Sequence, residues 1–216
     1  MTIKLHYFPS NASFAPHVLL EEMKLPYERV LVDRNQGAHK SPEYLKLNPN
    51  GLIPVLEDGD LVLYEVAAIL LHLGDTHPQA GLVPPLATAE RAQFYKWLIW
   101  LTNTLQPLLI GYYYPERWVD EGNVEGAAQA KASAERRIGP LLDQLDQLLA
   151  GHGGPWLLGD KYTVADPLAF MLCRWTRNFA RPARSLPNIG AYLNRMLERP
   201  AVQQAIATEQ LPQPWV

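Results

Sequence analysis

Residues 48–65 read Asn-Pro-Asn-Gly-Leu-Ile-Pro-Val-Leu-Glu-Asp-Gly-Asp-Leu-Val-Leu-Tyr-Glu. Few stretches constrain a fold as tightly. Asn48-Pro49 and Asn50-Gly51 are turn dipeptides, because proline fixes φ and glycine permits positive φ. Pro54 opens the apolar run Val55-Leu56, where a missing N–H costs a strand ladder least. Asp58-Gly59 reads as the hairpin turn joining that run to Leu61-Val62-Leu63-Tyr64. A proline at 54 also admits a cis Ile53-Pro54 bond. Such a bond turns the Ile53 N–H and C=O outward, where they can pair with a short extended peptide. Glu65 then stands at the mouth of a helix expected over 66–73, a carboxylate beside unsatisfied N–H groups.

The rest of the first third is consistent with this hairpin. Met1–Phe8 reads as a strand, its ladder-forming part 3–8. Residues 13–23 carry helical spacing at Phe14, Val18, Leu19 and Met23, with Ser13 as N-cap and Pro16 tolerated in the first turn. Residues 27–33 alternate and form a second strand. Two strands joined by one helix make a βαβ unit with parallel strands. A short helix near 42–47, the hairpin and the closing helix complete the order a thioredoxin-like domain requires. The stretch His77-Pro78-Gln79-Ala80-Gly81-Leu82-Val83-Pro84-Pro85 breaks the pattern as a linker. Beyond it everything reads as helix. Residues 88–114 show a wide apolar face, kinked or ended at Pro107. Residues 126–150 are amphipathic, with a bend at Gly139-Pro140. Thr163 and Asp166 form a short-armed capping box. A last helix runs from Ser185-Leu186-Pro187 to Arg199-Pro200. The expected class is α+β: an N-terminal thioredoxin-like domain (1–76), a linker (77–87) and a C-terminal all-α helical bundle domain (88–216).

Composition narrows the function. A net charge of −3 gives no global attraction to nucleic acid or an anionic membrane. Arg174, Arg177, Arg181 and Arg184 recur at roughly helical spacing and read as a solvated basic face. The single cysteine, Cys173, allows no intrachain disulfide and fits a reducing cytosol, so a cytoplasmic location is expected. The N-terminus lacks the apolar core of a signal peptide, and no run of about 20 apolar residues predicts a membrane span. The histidines at 6, 17, 39, 72, 77 and 152 have no ligand spacing, so no metal site is expected. Neither a phosphate-cradling glycine loop nor a nucleophile elbow is present.

The 48–65 segment resembles the glutathione transferase family. Upstream, Gly37-Ala38-His39-Lys40-Ser41-Pro42-Glu43-Tyr44-Leu45 is similar to the plant phi class, while Pro9 and Ser13-Phe14-Ala15-Pro16-His17 are similar to the bacterial beta class. Thr163-Val164-Ala165-Asp166 matches the family's late helix-capping signature, so the resemblance runs along nearly the whole chain. It implies a cytosolic, homodimeric, detoxifying transferase with glutathione as cosubstrate and a small hydrophobic electrophile as second substrate. It further implies that Ile53, beside Pro54, holds the cysteinyl backbone and that Glu65 holds the γ-glutamyl amine. Val66 stands where most classes have serine. His39 and Lys40 match the pair near the glycyl carboxylate.

Thiol activation sets the remaining requirement. A free thiol of pKa about 8.5 is only a few per cent ionised at pH 7. Lowering it by about 2 units takes roughly 2.7 kcal/mol. A hydroxyl donating to the sulfur supplies about 1.5–3 kcal/mol and a helix N-terminus about 0.3–1. Ser13, at the first helix, occupies the place of the beta-class serine. A gapless comparison with the phi and delta classes points instead to Ser10. Asn11 and Tyr7 rank behind both, and Ser13 also reads as a plain N-cap. Ala12 falls where the beta class has its reactive cysteine, and Gln106-Pro107 replace that class's histidine-lysine pair. Trp97, Trp100, Tyr112, Tyr113, Tyr114, Trp118 and Trp175 are candidates for an apolar wall or for plain packing. Two other readings share these residues: a non-catalytic binding or assembly module, and a glutathione-dependent disulfide reductase.

Overall fold

The computed structural model describes residues 2–216; Met1, counted with the first strand above, lies outside them. Strand β1 (Ile3–Tyr7) is followed by α1 (Phe14–Met23) and β2 (Tyr27–Leu31), and β1 and β2 pair in parallel. Helix α2 (Pro42–Leu47) starts on Ser41, whose hydroxyl accepts the Tyr44 N–H, with Pro42 in the first turn where its missing N–H is harmless. Strands β3 (Val55–Asp58) and β4 (Leu61–Tyr64) form the antiparallel hairpin, and α3 (Val66–Thr76) closes the unit. The sheet order is β2-β1-β3-β4. The hairpin turn lies one residue later than the sequence suggested. Asp58 pairs with Leu61, so Gly59 and Asp60 make the turn, and Gly59 has the positive φ it needs (62°).

Val55 and Leu56 are consecutive, hence on opposite faces, and both are fully buried. Both faces of the sheet are therefore covered. On one side Leu5, Val18, Leu19, Leu20, Ile69, Leu70 and Leu73 are buried. On the other, Val32, Tyr44, Ile53 and Val55 cluster, with Phe8, Ala38, Leu47 and Tyr64 against them.

The chain divides into two compact units, Met1–Val83 with Met196–Pro212, and Pro84–Arg195 with Gln213–Val216. The sequence reading ran the helical domain on to 216, whereas 196–212 returns to the first unit. The helix stop expected at Arg199-Pro200 is followed at once by a further helix, α9 (Pro200–Thr208), which the sequence reading did not include. Val202, Ala205 and Ile206 of α9 are buried, and α9 packs on α1. A bidentate ion pair joins Arg199 to Glu22 of α1.

The second unit is helical. Helix α4 (Ala89–Trp100) passes through a wide π turn (Leu101–Leu105) into α5 (Gln106–Tyr113). The disturbance expected at Pro107 is that turn: Pro107 has no N–H for the Asn103 carbonyl, and Gln106 N–H reaches back to Leu101. Helix α6 (Val124–His152) is capped by the Asn123 side chain on the Gly126 N–H (2.8 Å) and continues through Pro140. Helix α7 (Ala165–Trp175) and helix α8 (Pro187–Leu197) follow. Ahead of α7, both Asp166 carboxyl oxygens accept main-chain donors, Leu157 N–H at 2.8 Å and Thr163 N–H at 2.7 Å. The box is not fully reciprocal, because the Thr163 hydroxyl faces the Ala165 N–H at 3.3 Å, not that of Asp166. Among the described residues no helix is long and apolar enough to cross a membrane.

Candidate functional site

The Ile53-Pro54 peptide is cis. The Ile53 side chain is buried in the cluster under α2, yet among the described residues its N–H and C=O pair with no other main-chain group. The preceding residue is held firmly. The Leu52 carbonyl accepts both the Tyr44 hydroxyl and the Asn48 amide, each at 2.8 Å. Asn48 also accepts the Asn50 N–H through its own oxygen (3.0 Å). An unpaired main-chain edge is thus presented by a rigid loop.

Strand register assembles the neighbours. The last β3–β4 pair is Val55↔Tyr64, so one step further Pro54 and Glu65 face each other. The last β1–β3 pair is His6↔Val55, which places Phe8 and the residues after it beside Ile53. Glu65 is exposed, makes no side-chain cap bond and has φ 72° and ψ 114°, outside the usual L-residue regions. Such a backbone costs about 1–3 kcal/mol and persists where surroundings impose it. The first bond of α3 runs from Ile69 N–H to the Glu65 carbonyl at 3.0 Å. The N–H groups of Val66, Ala67 and Ala68 therefore stay open beside that carboxylate, an anion-binding end. Val66 itself is buried.

Lys40 and His39 meet the other end of the edge. Lys40 Nζ donates to the Asn50 carbonyl (3.3 Å). Gly51 has φ 60°, and a Cβ there would lie 2.7 Å from Lys40 Nζ and 2.8 Å from the His39 carbonyl oxygen. Only glycine lets these residues close over the loop.

The hydroxyls are arranged differently from the sequence ranking. Ser13 is fully buried; its Oγ donates to the Phe8 carbonyl (3.1 Å) and accepts the Phe8 N–H (3.2 Å). It neither caps α1 nor has a donor left for a bound thiol. The reason is local: Ser13 is already helical (φ −63°, ψ −16°), whereas a capping side chain needs an extended backbone. Tyr7 lies with its ring near His17 of α1 and accepts from Arg29 at 3.4 Å. Asn11 accepts the Ala12 N–H at 2.6 Å. Ser10 is half-buried with φ 63°, and its N–H donates to Glu209 Oε2 at 2.9 Å. His17, Tyr44, Asn48 and Glu209 thus bear on the site without having been singled out for it. Asn48 alone gave a local signal, its turn dipeptide.

In the second unit the aromatic candidates divide. Trp97 is buried, the Tyr112 ring lies 4.2 Å from that of Phe179, and the Tyr113 hydroxyl donates to the Trp175 carbonyl. Trp118 is 61 % exposed. Cys173 is buried, and burial pushes its thiol pKa up to about 12. Among the described residues no group of three His, Cys, Asp or Glu side chains is placed to hold a metal ion.

Comparisons with known proteins agree along the chain. Residues 1–75 match the family model "Glutathione S-transferase, N-terminal domain" and residues 114–209 the C-terminal domain model. A glutathione S-transferase of Xanthomonas campestris is 31 % identical over 97 % of this chain and all of its own length. The disulfide-bond oxidoreductase YfcG of Escherichia coli is 29 % identical over 97 % of this chain and 96 % of its own. A glutathione transferase homologue from Sulfitobacter, crystallised with glutathione, superposes with a TM-score of 0.88 at 26 % identity, covering 97 % of this chain and 99 % of that one. The chain belongs to the glutathione S-transferase family.

Proposed function

We propose that the protein binds glutathione along the Ile53-Pro54 edge and conjugates its thiolate to small hydrophobic electrophiles. The observation that carries this reading is the unpaired Ile53 main chain, flanked by an acid at one end and a cation at the other. Glutathione is a short extended peptide with an amine and two carboxylates. Its cysteinyl main chain pairs with Ile53. Its amine meets Glu65, its α-carboxylate the open N–H groups of Val66–Ala68, and its glycyl carboxylate Lys40 and His39. Lys40 uses one of its three donors on Asn50, which leaves others for that carboxylate. Ser10, not Ser13, faces the thiol.

The test is retention on immobilised glutathione and turnover of a chloronitroarene, with S10A and S13A as variants. A hydroxyl donating to an anion is worth about 1.5–3 kcal/mol, so S10A is expected to slow conjugation by roughly 10- to 100-fold. S13A is expected to lower stability, through the two Phe8 bonds it removes, before it lowers turnover. Absence of retention would end the proposal.

The 29 % identity to the disulfide-bond oxidoreductase YfcG favours a second reading. In glutathione-dependent disulfide reduction one glutathione thiolate attacks a substrate disulfide and releases a thiol. A second attacks the mixed disulfide, leaving glutathione disulfide and the second thiol. The chain needs no cysteine of its own for this. Turnover of a small disulfide, followed by glutathione disulfide formation and exceeding that of the arene, selects this reading.

A further inference from the structure

Glu209 lies just past α9, with its side chain wholly buried. Taking a carboxylate out of water is strongly unfavourable unless both oxygens find partners. An acid at a helix C-terminus opposes the macrodipole as well. Helix stability therefore does not account for Glu209. Its partners lie almost two hundred residues away in sequence. Oε1 meets His17 Nδ1 of α1 at 2.7 Å, and Oε2 accepts the Ser10 N–H at 2.9 Å. Ser10 sits in the left-handed region (φ 63°), which L residues other than Asn and Asp rarely adopt. The loop is fixed from within by Ser13 on Phe8, and Glu209 fixes it again at Ser10. The groups facing His17 are Glu209, Glu21 (3.9 Å from Nε2) and the rings of Tyr7 and Tyr27. Tyr27 in turn donates to Glu21.

We propose that Glu209 is a positioning residue for the thiol reaction: braced by His17, its carboxylate holds the Ser10 peptide so that the Ser10 hydroxyl is presented beside the Ile53-Pro54 edge. The inference rests on the glutathione-binding part of the reading above, with the thiol set beside Ser10. It adds that the C-terminal segment, returning to the first unit, sets the geometry of the thiol subsite.

Three measurements on the full chain test it in wild type, E209A, E209Q, S10A and S10A/E209A. They are amide hydrogen exchange over residues 8–13, the pKa of the bound glutathione thiol from its thiolate ultraviolet absorbance, and kcat with KM for the arene reaction. In E209A the Ser10 amide should exchange about tenfold faster or more, the bound thiol pKa should rise, and kcat should fall about tenfold, with KM for glutathione within about threefold. E209Q should retain at least about a third of kcat: its amide oxygen accepts from Ser10, and its NH2 donates to His17 Nδ1 in the other tautomer. The double variant should be no slower than S10A, since both act through one hydroxyl. If E209A does not fold, Glu209→Met, of similar volume and without a strong acceptor, takes its place. Unchanged exchange, an unchanged thiol pKa, or E209Q as impaired as E209A overturns the inference. So do E209A and S10A effects that multiply. A wild type that binds glutathione without conjugating it sinks the transferase reading alone, because exchange and thiol pKa still decide the role of Glu209. A wild type that binds none sinks both.

Discussion

Replacing Asp166 with asparagine removes one acceptor from a fully buried carboxyl group and leaves its shape intact. In the native protein Oδ1 accepts the Leu157 N–H, and Oδ2 accepts the Thr163 N–H with the Thr163 hydroxyl 3.2 Å away. An amide offers one oxygen, so one of the two N–H groups loses its acceptor and faces another donor. A buried unsatisfied group costs about 1–3 kcal/mol, which is the expected penalty while the wild-type carboxyl is protonated. Burial pushes the Asp166 pKa up to about 6, outweighing the hydrogen bonds from Leu157, Thr163 and Tyr192 that pull it down. The native state therefore holds this proton more tightly than the unfolded chain, where the pKa is near 3.9. The resulting stabilisation is complete below about pH 4 and is lost as pH rises through about 6, on the order of 3 kcal/mol in all. D166N has no such proton. Its destabilisation relative to wild type should be largest below about pH 4 and shrink toward zero or reverse by about pH 7.5. Urea unfolding followed by tryptophan fluorescence at several pH values measures this, with an unchanged m-value showing that the same surface is exposed. A penalty that stays constant, or grows with pH, would mean that the donors hold an anion, and the reasoning from burial would be wrong.

Two further outcomes follow from the same geometry. Gly51→Ala combines a left-handed backbone with a Cβ 2.8 Å from a main-chain oxygen; it is expected to cost about 2–4 kcal/mol and to weaken glutathione retention more than S13A does. Equal retention would show that Lys40 and His39 do not contribute to binding. Cys173, buried and with its thiol pKa pushed up to about 12, should resist an aromatic disulfide reagent in the native state and react once urea unfolds the chain; rapid native labelling would contradict its burial.

The features legible from the amino-acid order alone are those that a few adjacent residues can enforce. Pro54 marked the cis bond and the strand start, Ser41-Pro42 the beginning of α2, and Glu65 the mouth of α3, because turn, cap and strand chemistry act within a handful of bonds. The β-α-β and β-β-α order followed from the same local signals, and with it the unpaired main-chain edge at Ile53. Tertiary structure decided the rest. Ser13 looked like a cap or a catalytic hydroxyl, and only the approach of Phe8 consumed both its donor and its acceptor. Glu209 carried no signal in its own neighbourhood. Its carboxylate meets Ser10 and His17 because α9 packs on α1, and a contact made across that much chain depends on packing that no local pattern encodes.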